Sequence, residues 1–386
     1  MISQFTLELP RQVFFGSGIH EKLFSVLQTN AYQRILFLTG RNWFKESGWR
    51  NQFETKLKKN KYLFLSCPPG EPEIKGINEI LEQISEFQPQ VIISIGGGSV
   101  IDTGKACAVL ATRGKKVEDF LEGIGQPLEI TEPGIPHIAM PTTAGTGAEA
   151  TKNSVIKSEQ HQAKKSMRSH LLIPQYVFID PRFTLQLSKK VTGMAGMDAL
   201  VQLFEAYVSL KAKPVPRSLI KPAFPILINA LKTLAGDPAN LEARTDAAYS
   251  AFISGIALAN SGLGAVHGFA SAIGGLTEIP HGLICAMFFI PVLDANKPVI
   301  LDAFPDLLGN MIKTDKEKLF DTFKTTITEL IKNYNLDEEF NNYKINADLI
   351  PLIARKATGS SMSGNPRELS LAEREEILKK TLVSHW

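Results

Sequence analysis

Residues 91–105 read VIISIGGGSVIDTGK, and this stretch decides the predicted fold. It joins a continuous apolar run (91–95), a glycine-rich turn and a segment of helical character. Nucleotide-binding proteins hold a diphosphate in such a place, because glycines let the backbone come close and a helix N-terminus favours negative charge. Ser99 either caps the helix or binds phosphate. A tight turn without a ligand would also use three glycines, so this stretch alone leaves both possibilities open.

Segments of the same kind lie on both sides of this stretch. Residues 34–39, 62–66 and 137–140 are short apolar runs typical of buried strands. Residues 77–87 place apolar side chains at 77, 80, 81, 84 and 87, which is the spacing of an amphipathic helix. Continuous apolar strands separated by helices predict a parallel sheet with both faces covered.

The character of the sequence changes after residue 181. Long apolar-rich stretches follow, and we interpret them as helices of a second, all-α domain; they are residues 195–210, 217–235, 242–262, 264–275 and 280–295. A chain of 386 residues suits two domains of ordinary size. We therefore predict a nucleotide-binding α/β domain over residues 1–183 and a helical domain over residues 184–386.

Composition excludes several classes of protein. Apolar residues make up 44% of the chain and charged residues 21%, which excludes global disorder. The formal net charge is +3 and no basic tract stands out, so neither nucleic acid nor a membrane surface is an expected partner. Three cysteines without CxxC spacing suit a reducing cytosol. Residues 1–15 lack the pattern of a signal peptide, and the apolar run 283–293 is too short to cross a bilayer. We predict a cytoplasmic protein.

A second loop strengthens the nucleotide interpretation. Residues 140–149 read MPTTAGTGAE, follow a predicted strand and offer three hydroxyl groups among glycines. Loops at the carboxyl ends of parallel strands converge on the crevice where open α/β sheets bind ligands. The alternative is a plain linker.

At this point the sequence resembles a known family. The stretches GGGSVIDTGK and PTTAGTGAEAT are similar to the two signature loops of the iron-containing (group III) alcohol dehydrogenases. The resemblance covers nearly the whole chain, and it continues in Gly196-Met197-Asp198-Ala199-Leu200, Val266-His267, Pro280-His281-Gly282 and Asn365-Pro366-Arg367. It implies the fold shared with dehydroquinate synthase: an N-terminal Rossmann-like parallel-sheet domain, a C-terminal helical domain that binds metal and substrate, and a cleft between the two.

The resemblance also implies residues that bind the nicotinamide cofactor. Those expected to hold the diphosphate are Gly97, Gly98 and Ser99, with Asp102 nearby. Those expected beside the nicotinamide are Thr142, Thr143 and Thr146. Lys164 matches the lysine that reaches the ribose, although Lys165 is adjacent.

The end of the first long strand bears on which cofactor is used. The strand ends Leu38-Thr39-Gly40-Arg41, where the family has an aspartate for the ribose hydroxyls of NAD. Gly40 leaves room for a 2′-phosphate and Arg41 could neutralise it, which favours NADP over NAD. The alternative is a turn glycine followed by a solvated arginine.

Three residues of the apolar helical stretches indicate a metal site. A lone histidine in such a segment is usually a satisfied core residue, but a carboxylate there is costly without a cationic partner. Asp198, His267 and His281 resemble three of the family's four metal ligands. One carboxylate and two imidazoles suit Fe²⁺ or Zn²⁺.

Two positions depart from the family pattern. Gln202 stands where the family commonly has its fourth ligand, a histidine one helical turn after the aspartate. We predict Gln202 as a weak ligand, with a metal-free enzyme as the alternative. Ser271 replaces a histidine thought to relay protons, and its hydroxyl could pass a proton only through water.

Together these observations predict an NAD(P)-dependent alcohol dehydrogenase or aldehyde reductase. Hydride would pass between the nicotinamide and a small alcohol or aldehyde, assisted by a divalent metal. The alternatives are a metal-free reductase of an acidic aldehyde such as phosphonoacetaldehyde, an inactive nucleotide-binding relative, and a dehydroquinate synthase-like lyase. Few lysines or arginines lie beside the proposed ligands, which disfavours the lyase. The family commonly forms homodimers or larger homo-oligomers, and we expect the same here.

Overall fold

The structure is a computed structural model that describes residues 4–124, 126–161, 163–308 and 315–382. It divides the chain into two compact units. The first comprises Glu8–Thr143 and Ala148–Thr184, and the second comprises residues 4–7, Ala144–Gly147 and the part from Leu185 onward. The division after Thr184 lies beside the predicted domain boundary. The assignment of Ala144–Gly147 to the second unit was not predicted, and the domain bounds 1–183 and 184–386 stay a prediction.

The first unit is built on strands whose pairing follows their apolar sequences. The strands are β1 (Gln12–Phe15), β2 (Arg34–Thr39), β3 (Lys61–Ser66), β4 (Val91–Gly96), β5 (His137–Pro141), β6 (Asn153–Ser158), β7 (Ala163–Arg168) and β8 (Tyr176–Ile179). Six of them form one sheet in the order β1-β8-β5-β4-β2-β3, and every neighbouring pair is parallel. Strands β6 and β7 form a separate antiparallel pair. The predicted parallel sheet is confirmed.

Helices cover both faces of this sheet. They are α1 (Lys22–Thr29), α2 (Trp43–Glu46), α3 (Trp49–Lys56), α4 (Ile74–Phe87) and α5 (Gly98–Leu110). In β2, Leu36 and Leu38 pack into the core that includes α4 and α5, whereas Ile35 and Phe37 pack into the core that includes α1 and α3. Successive strand residues point to opposite faces. A strand buried on both sides is therefore apolar at nearly every position, which explains the long apolar runs in the sequence.

The second unit is helical over its described residues. Its helices are α6 (Lys189–Val208), α7 (Pro214–Gly236), α8 (Leu241–Ser261), α9 (Ala265–Gly274), α10 (His281–Ile300), α11 (Ala303–Leu308), α12 (Lys316–Asn333), α13 (Leu336–Phe340), α14 (Ile350–Lys356), α15 (Gly359–Met362) and α16 (Leu371–Leu382). The five apolar stretches that were predicted as helices correspond to α6 through α10. The all-α character of this part of the chain is confirmed.

Helix α10 extends the apolar run 283–293 at both ends. The whole helix, unlike the run alone, is long and apolar enough to cross a membrane by length and composition. Helices α8 and α9 together are also long and apolar enough, but the chain bends by 96° between them. The most apolar 18-residue stretch of α10 is 67% buried inside the protein, which is typical of a core helix.

Candidate functional site

The first glycine loop lies between β4 and α5, as predicted. Strand β4 ends at Gly96 and α5 begins at Gly98, with Gly97 as an extended N-cap residue that has no side chain to offer. The N–H of Val100 donates to the Gly97 carbonyl at 3.1 Å, so the N–H groups of α5 available to a ligand or to solvent are those before Val100. Ser99 lies inside the first turn of the helix and not at its cap position. The capping role considered for Ser99 is therefore wrong, and its hydroxyl is free of that task.

The second loop begins beside the first, because β4 and β5 are parallel neighbours. Gly96 lies opposite Pro141 in the register, and the backbone N–H of Thr142 donates to the carbonyl of Gly96 at 3.0 Å. A Cβ added at Gly97 would lie 3.4 Å from the Thr143 side chain. The structure thus brings Gly97, Thr142 and Thr143 together at the carboxyl ends of two strands.

The last part of the second loop belongs to the helical unit. Gly147 has a positive φ of 57°, and a Cβ there would lie 2.5 Å from the Ala251 carbonyl oxygen in α8. A Cβ on Gly255, also in α8, would lie 2.1 Å from the carbonyl oxygen of Gly147. Only glycines permit this approach of two backbones. The close contact holds Thr146 against α8, within the same unit as the predicted metal ligands.

Asp102 is the centre of a buried network. Its Oδ1 accepts from Lys105 Nζ at 3.1 Å, and its Oδ2 accepts from the backbone N–H of Val155 at 3.0 Å. Lys105 is fully buried and also donates to Thr151 Oγ1 at 2.7 Å and to the Asn153 carbonyl at 2.8 Å. Burial lowers the pKa of the Lys105 ammonium, although Asp102 acts in the opposite direction. These contacts join α5 to β6 and give Asp102 a structural task besides any contact with a cofactor.

The remaining predicted cofactor residues lie at two other places in this unit. Lys164, on β7, forms an ion pair with Glu71 and is 5% exposed. Gly40 follows the last residue of β2, and a Cβ added there would have no atom within 4 Å. Space for a larger group at Gly40 is therefore present. No structural observation assigns either residue to a cofactor, so both roles stay predictions.

The three predicted metal ligands come together within the helical unit. Asp198 lies on α6, His267 in the first turn of α9 and His281 at the start of α10. The Oδ1 atom of Asp198 is 3.3 Å from His267 Nε2 and 3.6 Å from His281 Nε2. Close packing makes this possible, because a Cβ at Gly282 would lie only 2.3 Å from the Met194 carbonyl oxygen of α6.

Two further residues belong to this cluster and were not predicted. Cys285 lies one helical turn after His281, with its Sγ 3.7 Å from His281 Nε2 and 3.9 Å from His267 Nε2. Glu205 lies two helical turns after Asp198 on α6, and its Oε2 is 2.7 Å from His267 Nδ1. A sequence signal existed for both: each is one or two turns from a predicted ligand, and a carboxylate in an apolar helix needs an explanation.

Glu205 also caps helix α9 from outside. Its carboxylate accepts from the backbone N–H groups of Gly264 at 3.0 Å, Val266 at 2.6 Å and His267 at 3.4 Å. These are among the N–H groups that a helix leaves unpaired at its start. A Cβ at Gly264 would lie 2.7 Å from Glu205 Oε1, so glycine is needed there. One carboxylate thus fixes both the start of α9 and the orientation of the His267 ring.

The pKa values in the cluster follow from burial and from neighbouring groups. Burial by itself raises the pKa of Asp198, but His281 and His267 outweigh it and the pKa lies below its ordinary value. Burial lowers the pKa of His267, but Cys285, Asp198 and Glu205 place it well above its ordinary value. Burial raises the pKa of the Cys285 thiol to about 12, although His267 opposes this. Surroundings that favour an imidazolium ion also favour a metal cation.

Gln202 and Ser271 are placed differently from each other. Gln202 is buried on α6, and its Nε2 donates at 3.0 Å both to the Thr146 carbonyl and to Ser254 Oγ. Ser271 is exposed on α9, one turn after His267. The ligand role predicted for Gln202 and the relay role predicted for Ser271 stay predictions.

The donor set fits a divalent transition metal. One carboxylate oxygen, two imidazole nitrogens and one thiol sulfur lie within 4.8 Å of one another. Such mixed donors suit zinc or Fe²⁺, whereas Mg²⁺ and Ca²⁺ prefer oxygen alone. The hydrogen bond from His267 to Glu205 adds the carboxylate–histidine arrangement that orients metal-binding imidazoles.

Comparison with protein families matches both parts of the chain. Residues 10–181 match the family model of iron-containing alcohol dehydrogenases. Residues 192–382 match the C-terminal model of the Fe-containing alcohol dehydrogenase family.

Individual relatives agree with these matches. Alcohol dehydrogenase 4 of Saccharomyces cerevisiae is 30% identical over 290 residues, which are 75% of each chain. The NADPH-dependent butanol dehydrogenase of Clostridium saccharobutylicum is 27% identical over 96% of each chain. The solved structure of an alcohol dehydrogenase from Oenococcus oeni is 26% identical and covers 98% of this chain and all of its own, with a TM-score of 0.90.

Proposed function

The chain belongs to the iron-containing alcohol dehydrogenase family and is an oxidoreductase, and from this premise we propose that it interconverts a small alcohol and its aldehyde with NAD(P) and a divalent metal. The observation that carries the proposal is the convergence of Asp198, His267 and His281 from three helices. These residues would hold the metal. A bound divalent ion supplies Lewis-acid polarisation of a carbonyl oxygen.

The protein's own groups have separable tasks in this proposal. The backbone N–H groups at Gly97, Gly98 and Ser99 bind the diphosphate, because they begin α5 and carry its positive dipole end. Thr142 and Thr143 lie beside that loop and line the cofactor. The nicotinamide supplies or accepts hydride when bound.

Metal binding in this cluster depends on the orientation of the His267 ring. Glu205 fixes the His267 ring so that Nε2, and not Nδ1, faces Asp198. His281 is 32% exposed at its side chain, whereas Asp198 is 4% exposed. The cluster is thus reached from the side of His281, and we infer that the substrate approaches from there.

We also propose NADP as the preferred cofactor and the cytoplasm as the location. The open space at Gly40 supports this choice of cofactor, because a 2′-phosphate needs room there. Arg41, the next residue, would neutralise the charge of the phosphate. Cys67, Cys107 and Cys285 are all free and buried, as expected for a reducing compartment. Assembly into a homo-oligomer remains an expectation from the family.

The test combines an activity screen with metal analysis of the same sample. The protein is purified without chelators and assayed with NADPH and NADH against small aliphatic and acidic aldehydes. We expect turnover of at least one aldehyde and about one divalent ion per chain. Chelation should abolish turnover, and Fe²⁺ or Zn²⁺ should restore it.

Two results would contradict the proposal. Full activity of a metal-free sample would mean that His267 and His281 act through hydrogen bonds or packing alone. Absence of turnover with every aldehyde and alcohol, in a sample that binds metal and NADPH, would indicate a nucleotide-binding protein without dehydrogenase activity.

A further inference from the structure

The fourth position of the metal cluster is where this chain differs from its family's pattern. Gln202 stands at the position of the usual fourth histidine, but its amide nitrogen donates to the Thr146 carbonyl and to Ser254 Oγ. A carbonyl only accepts, so this bond fixes which end of the amide faces Thr146. The carboxamide thereby ties the segment Ala144–Gly147 to α6, a structural task that accounts for its burial.

Cys285 presents a stronger donor to the same cluster. It follows His281 by four residues on α10, so both side chains lie on one face of the helix. The Cys285 side chain is fully buried, and its Sγ contacts the Nε2 atoms of both histidines. A buried cysteine is often only a small apolar residue. The Cys285 thiol, however, lies beside the metal-binding atoms of two imidazoles and a carboxylate. This is the position of a metal ligand.

The distances within the cluster agree with a four-donor site. Around a tetrahedral zinc ion, nitrogen and oxygen donors lie about 3.3 Å apart, and sulfur and nitrogen donors about 3.6 Å apart. Asp198 Oδ1 lies 3.3 and 3.6 Å from the two Nε2 atoms. Cys285 Sγ lies 3.9 and 3.7 Å from the same atoms. These four distances lie within about 0.3 Å of the tetrahedral values, and all four donor atoms lie within 4.8 Å of one another.

We propose that Cys285 is a metal ligand, that it completes a set with Asp198, His267 and His281, and that its sulfur biases this site toward zinc. The inference rests on the proposed metal-dependent function but concerns the identity of the ligand and of the ion. Thiolate ligands favour zinc over the harder Fe²⁺. Four protein donors are compatible with catalysis because zinc can accept a fifth donor.

Cobalt substitution tests the ligand directly. The full chain is stripped of metal by chelation and reconstituted with Co²⁺ alone. A cobalt–thiolate bond gives an intense charge-transfer absorption in the near ultraviolet, which oxygen and nitrogen ligands do not give. We expect this absorption in the unmodified protein, its loss in Cys285→Ala and Cys285→Ser, and its retention in Cys107→Ala, a control at another buried cysteine.

Metal affinity provides the second measurement. Zinc affinity in competition with a chelator should fall more than about 100-fold in Cys285→Ser, because even removal of an outer-shell partner costs about 10- to 100-fold. With both ions present under anaerobic conditions, the ratio of bound zinc to bound iron should be lower in Cys285→Ser than in the unmodified protein. Circular dichroism of the metal-free variants checks that each one is folded.

The outcomes separate this inference from the proposed function. Cobalt bound without the thiolate absorption, in a protein that turns over aldehydes, would overturn the role of Cys285 and leave the dehydrogenase intact. The absorption without any turnover would support Cys285 and overturn the function. Failure of cobalt and zinc to bind at all would overturn both. The absorption in the unmodified protein does not depend on whether a variant folds.

Discussion

Each of the two units contains a buried polar cluster, and the clusters differ in how the charge of a carboxylate is compensated. The cluster in the α/β unit, here the lysine cluster, consists of Lys105, Asp102 and Thr151 with the backbone of Asn153 and Val155. The cluster in the helical unit, here the histidine cluster, consists of Asp198, Glu205, His267, His281 and Cys285. The first brings its own ammonium ion. The second combines two carboxylates with groups that ligate metals.

This difference separates a structural network from a metal site. Burial of a carboxylate is costly unless a cation or several hydrogen bonds compensate it. In the lysine cluster, the Lys105 ammonium compensates the charge of the Asp102 carboxylate and also donates to the backbone at the start of β6. In the histidine cluster, Asp198 faces two Nε2 atoms, which coordinate metal when the imidazole is neutral. In the proposed function, the same physical requirement is met by the chain in one unit and by a metal ion in the other.

The largest expected effect is that of His267→Ala on the histidine cluster. The variant should lose its divalent ion, because its ligand from α9 is gone and only Asp198 on α6 and His281 and Cys285 on α10 remain of the proposed four-donor set. Activity should fall by about a thousandfold, since several kcal/mol of carbonyl polarisation are lost with the ion. Elemental analysis and steady-state kinetics measure the two effects.

The control is His170→Ala, which removes an exposed histidine of the other unit. It should retain both metal and activity. If His267→Ala kept the ion and its rate, the comparison would lose its premise, because the histidine cluster would then be a structural network like the first.

Lys105→Met tests the other side of the comparison. Removal of the ammonium leaves the Asp102 carboxylate, whose side chain is 13% exposed, without its cation, so the free energy of unfolding should fall by about 3 kcal/mol, the low end of the range for a buried pair. The double variant with Asp102→Asn should recover part of this loss, because no uncompensated charge remains. Denaturant unfolding of both variants gives the values. Metal content should not change, and a loss of metal in Lys105→Met would contradict the assignment of the two clusters to separate tasks.

Much of the fold was predictable because burial on two faces leaves a simple pattern. Strand β2 is apolar at every position from Ile35 to Leu38, since alternate residues enter different cores. The glycine loop after β4 was predictable for a related reason, because a strand, a glycine turn and a helix are contiguous in sequence. The three predicted ligands Asp198, His267 and His281 were proposed from family motifs, and the structure places their side chains together.

The rest depends on how helices pack, which local sequence does not encode. Glu205 meets His267 only because α6 lies beside the start of α9. The use of the Gln202 amide could not be predicted, since its partner Thr146 lies 56 residues away in a loop. The role considered for Ser99 as a cap failed because the helix begins at Gly98, two residues earlier than a cap at Ser99 requires.

Glu205→Gln should produce a smaller effect on the histidine cluster. An amide keeps one acceptor oxygen but cannot accept from Nδ1 and three backbone N–H groups as a carboxylate does. Zinc affinity should fall by about 10- to 100-fold, the usual effect of removing a group that orients a ligand.

The matched control is Asn365→Ala. Its Oδ1 accepts from the backbone N–H of Ala265 at 3.2 Å, so it supports the same helix start without contact to His267. The free energy of unfolding should fall in both variants, whereas zinc affinity should fall in Glu205→Gln only. An equal loss of affinity in both would show that Glu205 acts only by stabilising α9.

The smallest expected effect concerns cofactor choice in the α/β unit. The two loops predicted to bind the cofactor offer backbone groups and hydroxyls, so we expect the end of β2 to decide between NADP and NAD. Gly40→Asp should shift the ratio of kcat/KM for NADPH and NADH toward NADH by about tenfold, which is about 1.4 kcal/mol of repulsion toward a 2′-phosphate. The side chain fits, because a Cβ at Gly40 has no atom within 4 Å. Gly40→Asn, of the same size but neutral, separates charge from bulk and should shift the ratio less. A strong preference of the unmodified enzyme for NADH would show that Arg41 and the open space at Gly40 do not select the cofactor. In that case the specificity of this unit would have to be sought in the loops themselves.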